Sequence, residues 1–296
     1  MTKNMEDSDE ELRKLLKPDL STDDVNQLLE TLEANFAPGK KVDIIKQLDS
    51  YDDVNYLVKI DDTFFLCKVH NGVESKDFID QWQAEGLEYS KCSSVIHLQN
   101  NIMSHLNVKG IPTNDPQLNK KYNMPADVQA FTVVSKRHSP CYLVVRLLSW
   151  IEGNTMCSRR VLPLECIADA GRFLGRMDLA LDELNDPAAT RFHAWDGKNT
   201  ADIRPFVQHI KDERRRKMVN SVIDTFQQEV IDSGDAGKFR SGIIQGDFND
   251  ANILMDKDFQ ICGAIDFGDS VSRYVPKLYF PSSSYPLYNL ESSMID

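Results

Sequence analysis

The chain has 296 residues, 41% of them apolar, and a formal net charge of −12. That length suits two domains or one large two-lobed one, and the negative charge argues against nucleic acid or an anionic membrane as a main partner, because both would repel it. No apolar run is long enough to span a bilayer. The six cysteines show neither a C-x-x-C pair nor ligand spacing to the six histidines, so neither zinc nor a disulfide framework is expected. With no secretory signal at the N-terminus, the protein is predicted to be cytoplasmic with reduced thiols.

In chain order, residues 1–20 read as a flexible, acidic leader. Ser21 with Asp24 forms a capping box, opening a helix whose Val25, Leu28, Leu29 and Leu32 share a face until Pro38-Gly39. The period then changes. Val42 to Ile45, Tyr56 to Val58 and Phe64 to Val69 predict three antiparallel strands, joined by Ser50-Tyr51-Asp52-Asp53 and by an Asp61-Asp62 turn. A helix is expected around 95–107 and strands at Phe131–Val134 and Tyr142–Leu148, with a Pro- and Asn-rich loop from Asn114 to Asp127 between them. After Trp150 to Gly153 the pattern turns helical, over Pro163–Leu184, Ile203–Ile210 and Arg215–Ile231, with the basic run Lys211 to Lys217 as a solvated helix surface. Sheet first and helices second predict an α+β protein. Its sheet lobe would span 21–150 and its helical lobe 151–296, with an irregular tail from 270.

The densest chemistry lies in Gly246-Asp247-Phe248-Asn249-Asp250-Ala251-Asn252-Ile253-Leu254 and in Ile265-Asp266-Phe267-Gly268-Asp269. Taken singly, Asp and Asn cap turns more often than they catalyse. Taken as a set, Asp247 can receive a proton from an attacking hydroxyl, while Asn252 and Asp266 can share magnesium ions that bridge nucleotide phosphates. A strand ending at Ile243-Ile244 would present Asp247 in a tight loop. A hairpin of Ile253–Met255 with Phe259–Ile265 would return Asp266 towards it.

These stretches, with Ser50 to Asn55 and Tyr142 to Leu148, resemble the aminoglycoside phosphotransferase and choline kinase group of protein-kinase-like folds, and within it the hydroxylysine kinase branch. The resemblance covers residues 20–270 and implies a role for each matching position. Ser50, Tyr51, Asp52, Asp53 and Asn55 would fold over the nucleotide phosphates, and Lys68 would meet those phosphates as a fixed positive charge. Val145, in the stretch Leu143 to Leu148, would hold the base through its backbone. Asp247 would be the catalytic base or orienter, with Asn252 and Asp266 as magnesium ligands. Asn249, Asp250 and Asp269 are candidates for a substrate ammonium group. The reaction implied moves the terminal phosphate of GTP, or of ATP, to the hydroxyl of 5-hydroxy-L-lysine, a small cationic acceptor. Alternatives are another amino alcohol or aminoglycoside as acceptor (choline, ethanolamine, homoserine), or a nucleotide-binding form impaired in catalysis.

The pattern departs from the group at three places. Gln245 stands where a His is usual, although its amide can still hydrogen-bond the loop backbone. His97 aligns with the helix Glu that should pair with Lys68, leaving Glu85 and Glu88 as alternatives. Only 27 residues follow Asp269, rich in Pro and Ser, so the helical lobe is expected to be truncated, with apolar helix surface exposed.

Overall fold

The structure is a computed structural model, and it describes residues 11–86, 88–131, 141–193, 196–233 and 240–275. Helix α1 (Thr22–Thr31) opens with the expected box. The Ser21 hydroxyl accepts from the Asp24 N–H at 3.2 Å, and the Asp24 carboxylate accepts from the Ser21 N–H at 2.9 Å. It continues as a π-helical turn, Leu32–Phe36. Strands β1 (Val42–Leu48), β2 (Val54–Ile60), β3 (Thr63–Val69), β4 (Asp127–Phe131) and β5 (Cys141–Ser149) form an antiparallel sheet in the order β1-β2-β3-β5-β4.

The two-residue period of the strands decides what each face meets. Cys67, Val69, Val145 and Leu147 pack with Leu28, Leu32 and Phe36. Val144 packs with Phe78 of α2 (Gly72–Ala84) and Ile96 of α3 (Val95–Val108), while Leu148 joins Ile102 and Leu106 of α3. The same cluster includes Phe173 and Met177 of α4 (Leu164–Leu181), so α3 links the sheet to the helical part of the chain. Helix α2 has no counterpart in the expected elements. Its apolar set (Val73, Phe78, Ile79, Trp82) is too sparse for a strong helical period, and its start is fixed instead by Asn71, whose side-chain oxygen caps the Val73 N–H at 2.9 Å.

Of the leader expected over 1–20, residues 1–10 lie outside the described residues, and 11–20 correct the expectation of a loose segment. Residues 11–15 form a helical turn, Leu16 and Leu20 pack against the sheet, and the Leu16 carbonyl accepts from the Gly72 N–H at 3.0 Å. A Cβ at Gly72 would lie 2.7 Å from the Leu16 Cβ, so this approach requires glycine there. The charge of the segment masked its two anchoring leucines.

In the helical part, β6 (Asn154–Thr155), β8 (Ile253–Met255) and β9 (Ile261–Ala264) form a small sheet, and β7 (Arg240–Ile244) pairs with β10 (Val271–Val275). Strand β10 falls where the irregular tail was expected to start, and 276–296 lie outside the described residues, as do 132–134 of the strand expected at 131–134. By compactness the chain divides into residues 1–202 with 242–273, and residues 203–241 with 274–296. In the second unit, the helix expected over 203–210 is a 3-10 segment running into the short α5 (Arg204–Val207). Helix α6 (Glu213–Phe226) follows, capped by Asp212, and bears the solvated basic run.

Candidate active site

The β1–β2 connection carries the expected phosphate loop, and its residues do different things. Register in the β2–β3 hairpin sets Val54 opposite Val69 and Asn55 opposite Lys68. The buried Asp53 carboxylate therefore meets the Lys68 ammonium at 2.6 Å and accepts from the Asn71 N–H at 2.7 Å. Burial alone would raise the Asp53 pKa, but Lys68, His70 and the Asn71 N–H hold it well below the usual carboxylate range. Burial likewise opposes charge on Lys68, and Asp53 and Asp266 together overcome it and raise the lysine. Asp53 thus takes the place of the helix glutamate sought in the sequence. Glu88 pairs with Lys91 at 2.7 Å and Glu85 is exposed. His97 is buried against the Tyr89 ring and lies 3.8 Å from Asp186.

The tip of the loop is held from the N-terminal segment. Arg13 pairs with Asp52 at 2.7 Å, and Lys17 donates to the carbonyls of Tyr51 (2.7 Å) and Ser50 (3.4 Å). Tyr51 itself is 76% exposed. The Asn55 side-chain oxygen is buried without a partner. Beside Lys68 lies Arg146 of β5, 1% exposed and bonded to His70, Gln99 and Asn100, with burial pulling it down to a pKa of about 10. Val145 sits within β5, opposite Val69 on one side and Asp127 on the other. A residue enclosed between two strands offers no free edge to a base, which corrects that expectation. The chain leaves the sheet only after Ser149.

The catalytic loop turns on Gly246, whose φ of +88° suits glycine and whose added Cβ would lie 2.1 Å from the Asp269 carbonyl oxygen. Gln245 fills the usual histidine position with both ends of its amide. Its oxygen accepts from the Asp247 N–H at 2.8 Å, and its NH2 donates to the carbonyls of Asp266 (2.5 Å) and Ile265 (3.2 Å). The two Asp247 carboxylate oxygens accept one amide each, from Asn249 at 2.8 Å and Asn252 at 2.9 Å. The β8–β9 hairpin and the bond from the Ile265 N–H to the Asn252 carbonyl (2.9 Å) bring the Asn252 and Asp266 backbones together.

This donor set fits magnesium. Asn252 uses its NH2 on Asp247 and keeps its oxygen, and the exposed Asp266 accepts only the Gly268 N–H, at 3.1 Å. Among the described residues no three His, Cys, Asp or Glu gather into an all-protein cage. Magnesium is commonly held by one or two side chains with phosphates and water completing its shell.

A cavity of about 1580 Å³ runs from the phosphate loop and Lys68 past Asp266 to residues 187–193. Asp269 lines it and bonds His193 at 3.1 Å. Asn249 turns instead to Asp247, and the exposed Asp250 passes its carbonyl to the Cys157 N–H at 2.9 Å; like Asp247 and Asn252, neither is part of the cavity lining. Two lining residues had no signal in the sequence reading. Glu74, near the start of α2, pairs with Arg13 at 2.5 Å through one oxygen while the other is buried without a partner. Burial, outweighing Arg13, pushes its pKa up to about 7. Arg191 donates to the carbonyls of Gly268 (2.9 Å) and Ser270 (2.5 Å). Burial lowers its pKa against the pull of Asp269, Glu74 and Asp77.

The model of the phosphotransferase enzyme family matches residues 44–274. Hydroxylysine kinase of Mus musculus is 28% identical over 250 residues, covering 80% of this chain and 62% of that protein. Hydroxylysine kinase of Bos taurus is 29% identical over 272 residues, covering 88% and 67%. The chain therefore spans about two thirds of the length of the curated relatives it matches. Among solved structures, a microcompartment-associated aminopropanol kinase superposes with a TM-score of 0.50 at 14% identity, over 85% of this chain and 71% of that one. The α+β fold is kinase-like: an antiparallel sheet half followed by a mainly helical half.

Proposed function

The chain belongs to the phosphotransferase enzyme family, and from that premise we propose that it transfers the terminal phosphate of a nucleoside triphosphate to the hydroxyl of a small amino-bearing acceptor, 5-hydroxylysine. The observation that carries this reading is the Asp247 carboxylate, held by Asn249 and Asn252 beside the segment bearing Asp266. The acceptor class comes from the names of the relatives. GTP is proposed over ATP from likeness to that branch alone.

Asp247 would orient the acceptor hydroxyl for in-line attack and take its proton as the oxygen–phosphorus bond forms. Two amide donors fix the carboxylate, so little reorganisation is needed at the moment of transfer. Lys68, aligned by Asp53, would hold the nucleotide phosphates with a fixed charge. Asn252 and Asp266 would hold magnesium, which when bound offsets phosphate charge. A catalytically impaired form is disfavoured by two contacts: Gln245 still ties Asp247 to Asp266, and Lys68 has an ionic partner despite His97. A cytoplasmic location is proposed, supported by six unpaired cysteines. No helix among the described residues is long and apolar enough to cross a membrane.

The test is turnover with magnesium, GTP or ATP, and a panel of 5-hydroxylysine, choline, ethanolamine, homoserine and kanamycin, with Asp247→Ala as the control. Turnover of 5-hydroxylysine that vanishes in the control is expected. Turnover of choline alone would overturn the acceptor, and nucleotide binding without any turnover would establish the impaired form.

A further inference from the structure

Two charged groups in the cavity wall are under-used by the protein itself. Arg191 has five N–H donors. Backbone carbonyls take donors from two of its nitrogens, and it makes no ion pair among the described residues. Glu74 keeps one carboxylate oxygen buried and unpartnered although its side chain is only 15% exposed. A desolvated cation without a directly paired counter-ion and a buried carboxylate oxygen without a donor both cost stability. Sites of that kind are candidates for ligand contacts. The two line the same cavity, as do Asp77 and Asp266. Asp269, Glu74 and Asp77 all favour the charged form of Arg191, although none of them pairs with it directly.

A ligand that satisfies both must bring an anion and a cation on one short frame. We infer that the cavity takes its acceptor as a zwitterionic amino acid, with Arg191 receiving the carboxylate and the free Glu74 oxygen receiving an ammonium group. This rests on the phosphotransferase reading above and deepens it, because it requires an acceptor with a carboxylate. Choline, ethanolamine and aminoglycosides have none. Guanidinium is suited to the carboxylate, since its planar fork can offer two parallel donors where lysine offers a point charge. Asp77 is partly committed, its carboxylate accepting the Val95 N–H at 3.2 Å, and adds negative potential beside the ammonium.

The test is calorimetric binding to the full chain of three ligands. These are 5-hydroxylysine, its decarboxylated analogue with both amines and the hydroxyl retained, and GTP with magnesium. The wild-type protein is expected to prefer the amino acid by roughly 10- to 100-fold, the scale of a charge-assisted hydrogen-bond pair. Arg191→Gln should remove that preference and leave nucleotide affinity unchanged, while Glu74→Gln should weaken both acceptors alike. Equal wild-type affinity for the two acceptors, or no acceptor binding, overturns the inference without recourse to a variant. Loss of nucleotide affinity in Arg191→Gln also overturns it, giving the guanidinium to a phosphate. A wild-type chain that binds no nucleotide fails the phosphotransferase reading itself, and this inference with it.

Discussion

Two groups of buried charge face the same cavity and are wired in opposite ways. On the phosphate-loop side, Asp53 and Lys68 meet at 2.6 Å, and the carboxylate also accepts a backbone N–H. Elsewhere in the lining, Arg191 donates to carbonyls and makes no ion pair among the described residues, and Glu74 leaves one oxygen bare. The first group is complete within the chain itself, so its work is to fix geometry. The second is incomplete, and the proposed acceptor would complete it. A paired charge holds a neighbour in place at little further cost, while an unpaired one lowers stability until something binds.

Breaking the complete pair should give the largest effect. Asp53→Asn leaves the buried Lys68 without its ion-pair partner and with only Asp266 to offset its charge, at a cost of about 3 kcal/mol. Chemical denaturation checks this, and Lys68→Met in the same chain should restore much of the loss. The pH dependence has a definite sign. The folded-state pKa of Asp53 is depressed, so its contribution is present above its unfolded value near 3.8 and is lost as pH falls through the acid range below it. The Asp53→Asn penalty should therefore be large and steady from pH 7 down to about pH 4, and shrink progressively only below that. A penalty independent of pH would show that the carboxylate's charge is not what matters.

The incomplete group should respond with the reverse sign. The Glu74 pKa is raised from 4.5 to about 7, so ionisation of this residue costs stability. The cost sets in above pH 4.5 and is complete near pH 7, reaching a few kcal/mol at about 1.4 kcal/mol per pKa unit. Glu74→Gln should accordingly gain in stability relative to wild type as pH rises through that window, measured as the difference in melting temperature at pH 5 and pH 8. A difference that stays flat would mean that Arg13 already compensates the carboxylate. Saturating 5-hydroxylysine should reduce the same difference if its ammonium supplies the missing donor.

How much of this was legible depends on the distance over which each contact is made. Asp247, Asn252 and Asp266 lie on one loop and one hairpin, so local spacing brings them to one place. The capping box at Ser21 and the three strands of the first hairpins are equally local. The partner of Lys68 was also within reach, since a short hairpin with Val54 opposite Val69 sets Asp53 beside the lysine. It was missed because the family pattern directed the search to a helix. Val145 was misplaced for a related reason: an apolar run signals a buried strand, but does not say where that strand becomes free of its neighbours. Arg191 lies 77 residues from Gly268 and 79 from Ser270, and no periodicity connects them. Glu74 carried no signal because helix α2 itself was not anticipated.

Arg13 is where the two groups touch, and it offers the mildest way to test their separation. It reaches Asp52 on the phosphate loop at 2.7 Å and Glu74 of α2 at 2.5 Å, with its own side chain 30% exposed. Partly exposed ion pairs contribute about 0.2–1 kcal/mol each, so Arg13→Gln should lower stability only slightly. Its functional effect should divide by region. The Asp53–Lys68 pair does not include Arg13, so nucleotide affinity should fall by no more than a few fold, through a looser loop tip. Glu74 would lose its one ionic partner, and its pKa should rise further, shifting the Glu74→Gln stability difference to higher pH in the Arg13→Gln background. Titration of both backgrounds by thermal melting measures that shift. If nucleotide affinity collapsed while the Glu74 window stayed in place, Arg13 would belong to the phosphate loop alone, and Glu74 would owe its poise to burial rather than to the N-terminal segment.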